Sequence, residues 1–274
     1  NRAGGVIRSD GGSPFARIVT AFAGDTITIN NDGDMTGNVF LAAFGDIEFN
    51  NTSNDSWNVA GFNWFFSGTQ TVINNTGTIN TGPFFTSMVF VSPGIDQINN
   101  EGLFTVDGFT GLFGLEEFNN IGGTISMVDG ATDDVLFTSD DYNASLDPEL
   151  HVDAFLDFVP GAGEGDVFII GNDANGVTWV TVENADPDGV GVLDQEGILL
   201  VGIVGGTATE GVEAFQLAGG PIDVGFFQYD IYYEPVGVLG PFAEEFWLRS
   251  DVNGRAYELP ALTSAVQELF HSSN

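Results

Sequence analysis

The sequence predicts an all-β fold: a right-handed parallel β-helix, or β-solenoid, closed at its C-terminal end by a β-hairpin cap. Three observations predict it. An Asn-Asn phrase recurs at a nearly constant step, the residues between its copies are strand formers, and Gly and Phe are abundant. The phrase is clearest as LEEFNNIGGTISMV over 115–128, where Leu115 and Phe118 lead into Asn119 and Asn120, then Gly, then a short strand with Ile125 and Met127. It returns as ITINNDG at 27–33, IEFNN at 47–51, TVINNTGTI at 71–79 and IDQINNEGLF at 95–104. The first Asn of each pair is Asn30, Asn50, Asn74, Asn99 and Asn119, giving steps of 20, 24, 25 and 20 residues. A period in this range marks a solenoid.

Strand chemistry selects the type. Thr, Ile, Val and Phe come in short runs broken by Asn and Gly, whereas helical repeats need apolar spacing of 3.6 residues and good helix formers. In a parallel β-helix successive coils stack about 4.8 Å apart, so equivalent residues lie above one another. Asn suits such a corner because it tolerates left-handed backbone angles and its amide can bond to the Asn one coil away. The alternative, unrelated β-turns in a sandwich, does not explain why the turns keep a phase.

Composition agrees. A solenoid of 274 residues grows by adding coils and needs no domain boundary. Thirty-eight Gly and twenty-five Phe fit tight corners and a stacked aromatic interior, and the absence of Cys removes disulfides and thiol catalysis. The chain opens in mid-phrase, NRAGGVIRS, and reads as an excised fragment. Thirty-nine Asp and Glu against five Arg and no Lys give a net charge of −34, which disfavours nucleic acid and anionic lipid as partners.

In chain order, residues 1–24 carry Ile18, Val19 and Phe22 and form an incomplete first coil, open to self-association. The repeat then runs to Met127, with longer excursions at 52–69 and 80–94. An Asn-Trp-Phe-Phe cluster on the first excursion fits either core filling or an exposed ligand platform. Residues 129–150 are acidic and loop-like. Apolar strands follow around 150–158, 167–170, 177–182 and 198–204, and large aromatics (Phe226, Phe227, Tyr229, Tyr232, Tyr233, Trp247) can cover the open end of the helix from antiparallel hairpins. Leu262, Val266, Leu269 and Phe270 place a short amphipathic helix beyond them.

Residues 167–259 resemble the C-terminal passenger region of Gram-negative autotransporters, the pertactin-like autochaperone. The matching phrases are DVFIIGNDANGVTWVTVEN, EGILLVGIVGGTATEGVEAFQLAGGPIDVGFFQYDIYYE and EEFWLRSDVNGRAYELP. The family pattern carries onto Gly197, Ile198 and Val201, onto Phe215 and Leu217, onto Gly225, Phe227, Tyr229 and Ile231, and onto Trp247, Leu248, Arg249 and Ser250. The sequence departs from it after Tyr257, where Glu258, Leu259 and Pro260 replace the usual Arg-Pro-Glu. The resemblance implies type V secretion, a cell-surface location outside the outer membrane, an outer-membrane β-barrel as C-terminal partner, and a cap that templates folding. It divides the chain into passenger coils at 1–165, C-terminal coils and autochaperone at 166–259, and the start of a linker at 260–274.

Enzyme chemistry is sparse. His271 lies in the tail, which leaves His151 alone, and no Gly-x-Ser-x-Gly elbow is present. Asp133, Asp134, Asp153 and Asp157 are candidate carboxylates for sugar cleavage. The stretch NADPDGVGVLDQE offers Asn184, Asp186, Asp188, Asp194 and Glu196 as a calcium loop, with Glu196 one position late for a bidentate ligand; a solvated turn is the competing reading. The sequence therefore predicts about ten coils, roughly 50 Å long. It also predicts no cofactor or catalytic centre, and a stalk or adhesin whose partner is a host or surface glycan or protein. The alternatives are a polysaccharide-acting enzyme and an inert spacer.

Overall fold

The computed structural model describes residues 1–8, 15–52, 56–157, 164–186, 188–235 and 242–253. The chain is a parallel β-solenoid with three strand-bearing faces per coil. The first face stacks Ile27–Asn31, Ile47–Asn51, Thr71–Asn75, Gln97–Asn100, Glu117–Ile121, Asp141–Ser145 and Ala174–Asn175, all parallel. The second runs from Val6–Arg8 through Asp34–Thr36 and the first halves of Ser56–Ser67 and Thr78–Val91. It continues to Leu103–Thr105, Thr124–Ser126, Glu149–Ala154, Thr178–Asn184 and Phe215–Leu217. The third stacks Arg17–Ala23, Asn38–Ala43, the second halves of the same two long strands, Phe109–Phe113, Val135–Thr138, Val167–Ile170 and Ile198–Ile203.

Seven rungs on the first face replace the ten coils that the sequence predicts, and six steps of about 4.8 Å make the stack roughly 30 Å rather than 50 Å long. Two causes account for the difference. The step from Asn143 to Asn175 is 32 residues, longer than any earlier one, and beyond Leu217 the pairing turns antiparallel.

Alternation along each strand sends every second side chain into the interior, where equivalent residues stack coil on coil. On the second face Met35, Trp57, Ile79, Phe104, Ile125, Leu150, Val180 and Leu217 form one such column. Phe49 stacks on Trp57 at 4.5 Å and Phe65 on Phe90 at 5.0 Å between ring centroids. Burial of each such side chain contributes about 1.5–3 kcal/mol, but only once neighbouring coils have closed around it. Corners bring backbones close: a Cβ on Gly102 would stand 2.2 Å from the Gly77 carbonyl oxygen, which excludes any larger residue there.

Parallel pairing continues without a break across residues 165 and 166, from Val135–Thr138 to Val167–Ile170 and on to Ile198–Ile203. The last of these strands then pairs antiparallel with Glu244–Val252, which pairs with Phe227–Glu234, which in turn pairs with Ile222–Val224. This sheet covers the end of the interior. Tyr229, Phe246 and Leu248 are fully buried, and Phe246 meets Phe215 at 4.8 Å. Trp247 is half-buried instead, because strand alternation points Phe246 and Leu248 inward and Trp247 out; Phe226 and Tyr232 are exposed. The amphipathic helix predicted at 260–274 lies outside the described residues.

Candidate functional site

The Asn pairs build two amide columns at one corner. In the outer column Asn50 donates Nδ2–H to the Asn30 Oδ1 at 3.0 Å, Asn74 to Asn50 at 2.8 Å, Asn99 to Asn74 at 2.9 Å and Asn119 to Asn99 at 2.9 Å. Asn143 and Asn175 extend it by two rungs. These six bonds stand at the surface or half-buried. The second Asn of each pair forms an inner column of completely buried residues: Asn31, Asn51, Asn75, Asn100 and Asn120. Here donation runs the other way, Asn31 to Asn51, Asn51 to Asn75, Asn75 to Asn100 and Asn100 to Asn120, at 2.7–2.9 Å. The remaining Nδ2 proton of Asn51, Asn75 and Asn100 reaches a backbone carbonyl on Thr78, Leu103 and Thr124. Asn1 donates into the column at Asn31, and Tyr142, bonded to Thr178, ends it after Asn120. Left-handed backbone plays no part: among the described residues only Leu146 and Asp147 are non-Gly with positive φ.

A second arrangement lies on the outside of the third face. Phe22 is 73% exposed and meets Phe40 at 5.6 Å; Phe40 meets Phe66 at 5.7 Å; Trp64 stacks on Phe66 at 5.6 Å with ring planes 2° apart. The Arg17 guanidinium lies 4.9 Å from the Phe40 centroid. A second row runs Phe62, Phe85 and Phe109 at 5.2 and 5.7 Å. Beside the first row, Phe22, Ala42, Phe44, Phe66 and Val91 line an open depression of about 550 Å³. The strands 17–23, 38–43, 61–67, 86–91, 109–113, 135–138 and 167–170 contain no Asp or Glu, although one residue in seven of the chain is acidic. The Asn-Trp-Phe-Phe cluster is therefore divided: Asn63 and Phe65 are buried, and Trp64 and Phe66 face outward. Sequence reasoning missed the stripe because only the register aligns aromatics from separate coils. Its legible signal was the run of strands free of acids.

Carboxylates concentrate at the corner between the second and third faces. Asp134 accepts the Gly108 amide; Asp166 accepts the amides of Asp134 and Asp153; Asp153 accepts those of Asp129 and Gly130. Burial, with repulsion from Asp129, Asp107 and Asp133, raises the Asp134 pKa to about 7. Burial raises Asp166 to about 8, and burial then repulsion from Asp129 raises Asp107.

The other candidates are engaged locally. His151 Nε2 lies 2.9 Å from the Glu149 carboxylate on the outer side of Glu149–Ala154. In the predicted calcium loop, Asn184 Oδ1 accepts the Asp186 and Leu156 amides, Asp186 accepts the Asp188 amide, and Asp194 accepts the Gly197 amide. Glu196 offers its backbone carbonyl to Arg249. Asn184, Asp186 and Asp194 thus hold backbone amides, and among the described residues the group of three carboxylates close enough to share an ion lies elsewhere. In the cap, Gly225 takes φ 58°, where a Cβ would meet the Val190 carbonyl at 2.2 Å, and Phe227 pairs across from Val224. The Tyr229 hydroxyl bonds to Val192 and Leu156, and Trp247 donates to Glu245. Leu248 is buried opposite Ile198, and Arg249 pairs with Glu234 at 2.7 Å. No protein-family model and no curated protein matches this chain.

Proposed function

We propose that this chain is a β-solenoid stalk that acts as an adhesin, its binding surface being the aromatic stripe of the third face. The stripe carries the reading: an acid-free row of outward rings on a molecule of net charge −34. Exposed contiguous apolar surface of this kind marks an interaction site, and aromatic faces spaced along a rigid sheet suit the apolar faces of sugar rings or a flat protein surface. The charge keeps the rest of the solenoid from non-specific contact. The resemblance over 167–259 supports placing it outside a Gram-negative cell as an autotransporter passenger, joined to an outer-membrane barrel, with the aromatic cap as folding template. Sugar cleavage is the weaker reading, since it needs two reachable carboxyls and the acids with the most raised pKa, Asp134 and Asp166, are buried between coils.

The test is binding to a panel of immobilised neutral glycans and matrix proteins, comparing the wild-type chain with a Phe22→Ser/Trp64→Ser/Phe66→Ser variant whose unfolding midpoint is checked in parallel. Binding that is lost in the variant and persists in high salt is expected. Equal binding by both, or release by salt alone, would overturn the assignment of the stripe.

A further inference from the structure

The acidic corner gathers side chains from successive coils. Asp107 leads into Phe109–Phe113, while Asp129 and Asp134 flank the turn before Val135–Thr138 one coil on. Carboxylate oxygens of these three residues all lie within 4.8 Å of one another. Asp134 is only 1% exposed; one of its oxygens accepts the Gly108 amide, and Oδ2 is buried without any hydrogen-bond partner. A buried carboxylate oxygen in that condition calls for a ligand. Side chains do not supply one: the ion pairs among the described residues are Arg249–Glu234 and His151–Glu149.

The next coil fixes the arrangement. Asp153 holds the amides of Asp129 and Gly130, and both oxygens of Asp166 hold the amides of Asp134 and Asp153, so the turn carrying Asp129 and Asp134 is anchored from behind, while the Asp107 amide is held by Thr81 Oγ1. Donors that are all oxygen select a hard cation. A cage built from three protein carboxylates suits calcium, which takes oxygens at about 2.4 Å in flexible geometry, better than magnesium, which demands a near-ideal octahedron and keeps several of its waters. Calcium also accepts irregular geometry completed by water, and Asp129 is exposed on the open side.

We propose that Asp107, Asp129 and Asp134 bind one calcium ion that joins two successive coils. The mutual repulsion of these clustered carboxylates is relieved when a cation binds among them.

The experiment is equilibrium dialysis of the full chain against radioactive calcium after EDTA treatment, in physiological salt with excess magnesium. One tightly held ion per chain is expected. Asp129→Asn, at an exposed position, should weaken it by at least the ~10-fold that loss of an outer-shell partner alone costs. Asp134→Asn, which keeps an acceptor for Gly108, should do the same, while Glu101→Gln, an exposed acid outside the cluster, should leave it unchanged. Uptake that magnesium abolishes, that survives Asp129→Asn and Asp134→Asn, or that falls equally with Glu101→Gln would show diffuse binding to a polyanion and overturn the proposal.

Discussion

Asn75→Ala should reveal how much the inner amide column holds. Asn75 donates to Asn100 at 2.7 Å and to the Leu103 carbonyl at 3.1 Å, and accepts from Asn51 at 2.8 Å, with no exposure to solvent. Truncation removes three hydrogen bonds, each contributing a net ~1 kcal/mol, and strands the buried Asn100 oxygen, which adds ~1–3 kcal/mol. A loss of about 4–6 kcal/mol follows. Asn74→Ala, one residue away, removes two bonds of 2.8 and 2.9 Å at a half-buried position where water can replace the amide, so about 1 kcal/mol is expected. Equilibrium unfolding in guanidinium, followed by far-UV circular dichroism, compares the two provided that the slopes match. Equal losses at Asn74 and Asn75, or a larger loss at Asn74, would refute the inner column as the stronger support.

Three further outcomes are expected. Phe246→Ala should cost about 3–5 kcal/mol and Trp247→Ala less than half of that, since only Phe246 is buried; the reverse order in urea midpoints would contradict the cap geometry. The folded pKa values of Asp134 (about 7) and Asp166 (about 8) lie above the unfolded ~3.9, so the native state binds more protons and stability falls as pH rises from about 4 to 8. In EDTA the wild-type Tm should therefore increase from pH 8 to pH 5, and an Asp134→Asn/Asp166→Asn variant should show a flatter profile; matching slopes would exclude these groups as the cause. Among the described residues Arg17–Ala23 pairs only with Asn38–Ala43, and we expect its other edge to drive self-association in high salt, where the −34 charge is screened; sedimentation showing a monomer at every salt concentration counts against it.

The phase of the solenoid was legible because Asn-Asn is rare enough to mark one corner and recurs without drift from Asn30 to Asn119. Which Asn of the pair faces inward was not read from it. The signal was nonetheless there: alternation in IEFNN puts Ile47, Phe49 and Asn51 on one face and Glu48 and Asn50 on the other, so the apolar residues mark Asn51 as the inward one. The number of coils was misread because Ser56–Ser67 and Thr78–Val91 run through two faces each and the last coils lengthen, so dividing the chain by the early step overcounts. The outer column's last members, Asn143 and Asn175, sit in YNA and ANG, where the partner Asn is gone. Spacing along the chain singled out Asn184 to Glu196 for calcium, and of these Asn184, Asp186 and Asp194 accept backbone amides. Asp107, Asp129 and Asp134 converge from two coils, an arrangement no local spacing encodes.

The opposed donor directions of the two Asn columns bear on how long such a rod can grow. A row of amides pointing one way adds its dipoles head to tail, as a helix does, so a single column would polarise the rod more with every coil. Here each coil from Asn50 to Asn119 contributes one amide pointing toward the N-terminal end and, one residue later, another pointing toward the C-terminal end. Their fields largely cancel within the coil. Duplication or loss of a repeat then leaves the two ends of the rod electrically as they were, and length becomes a variable that can change without redesign of either terminus.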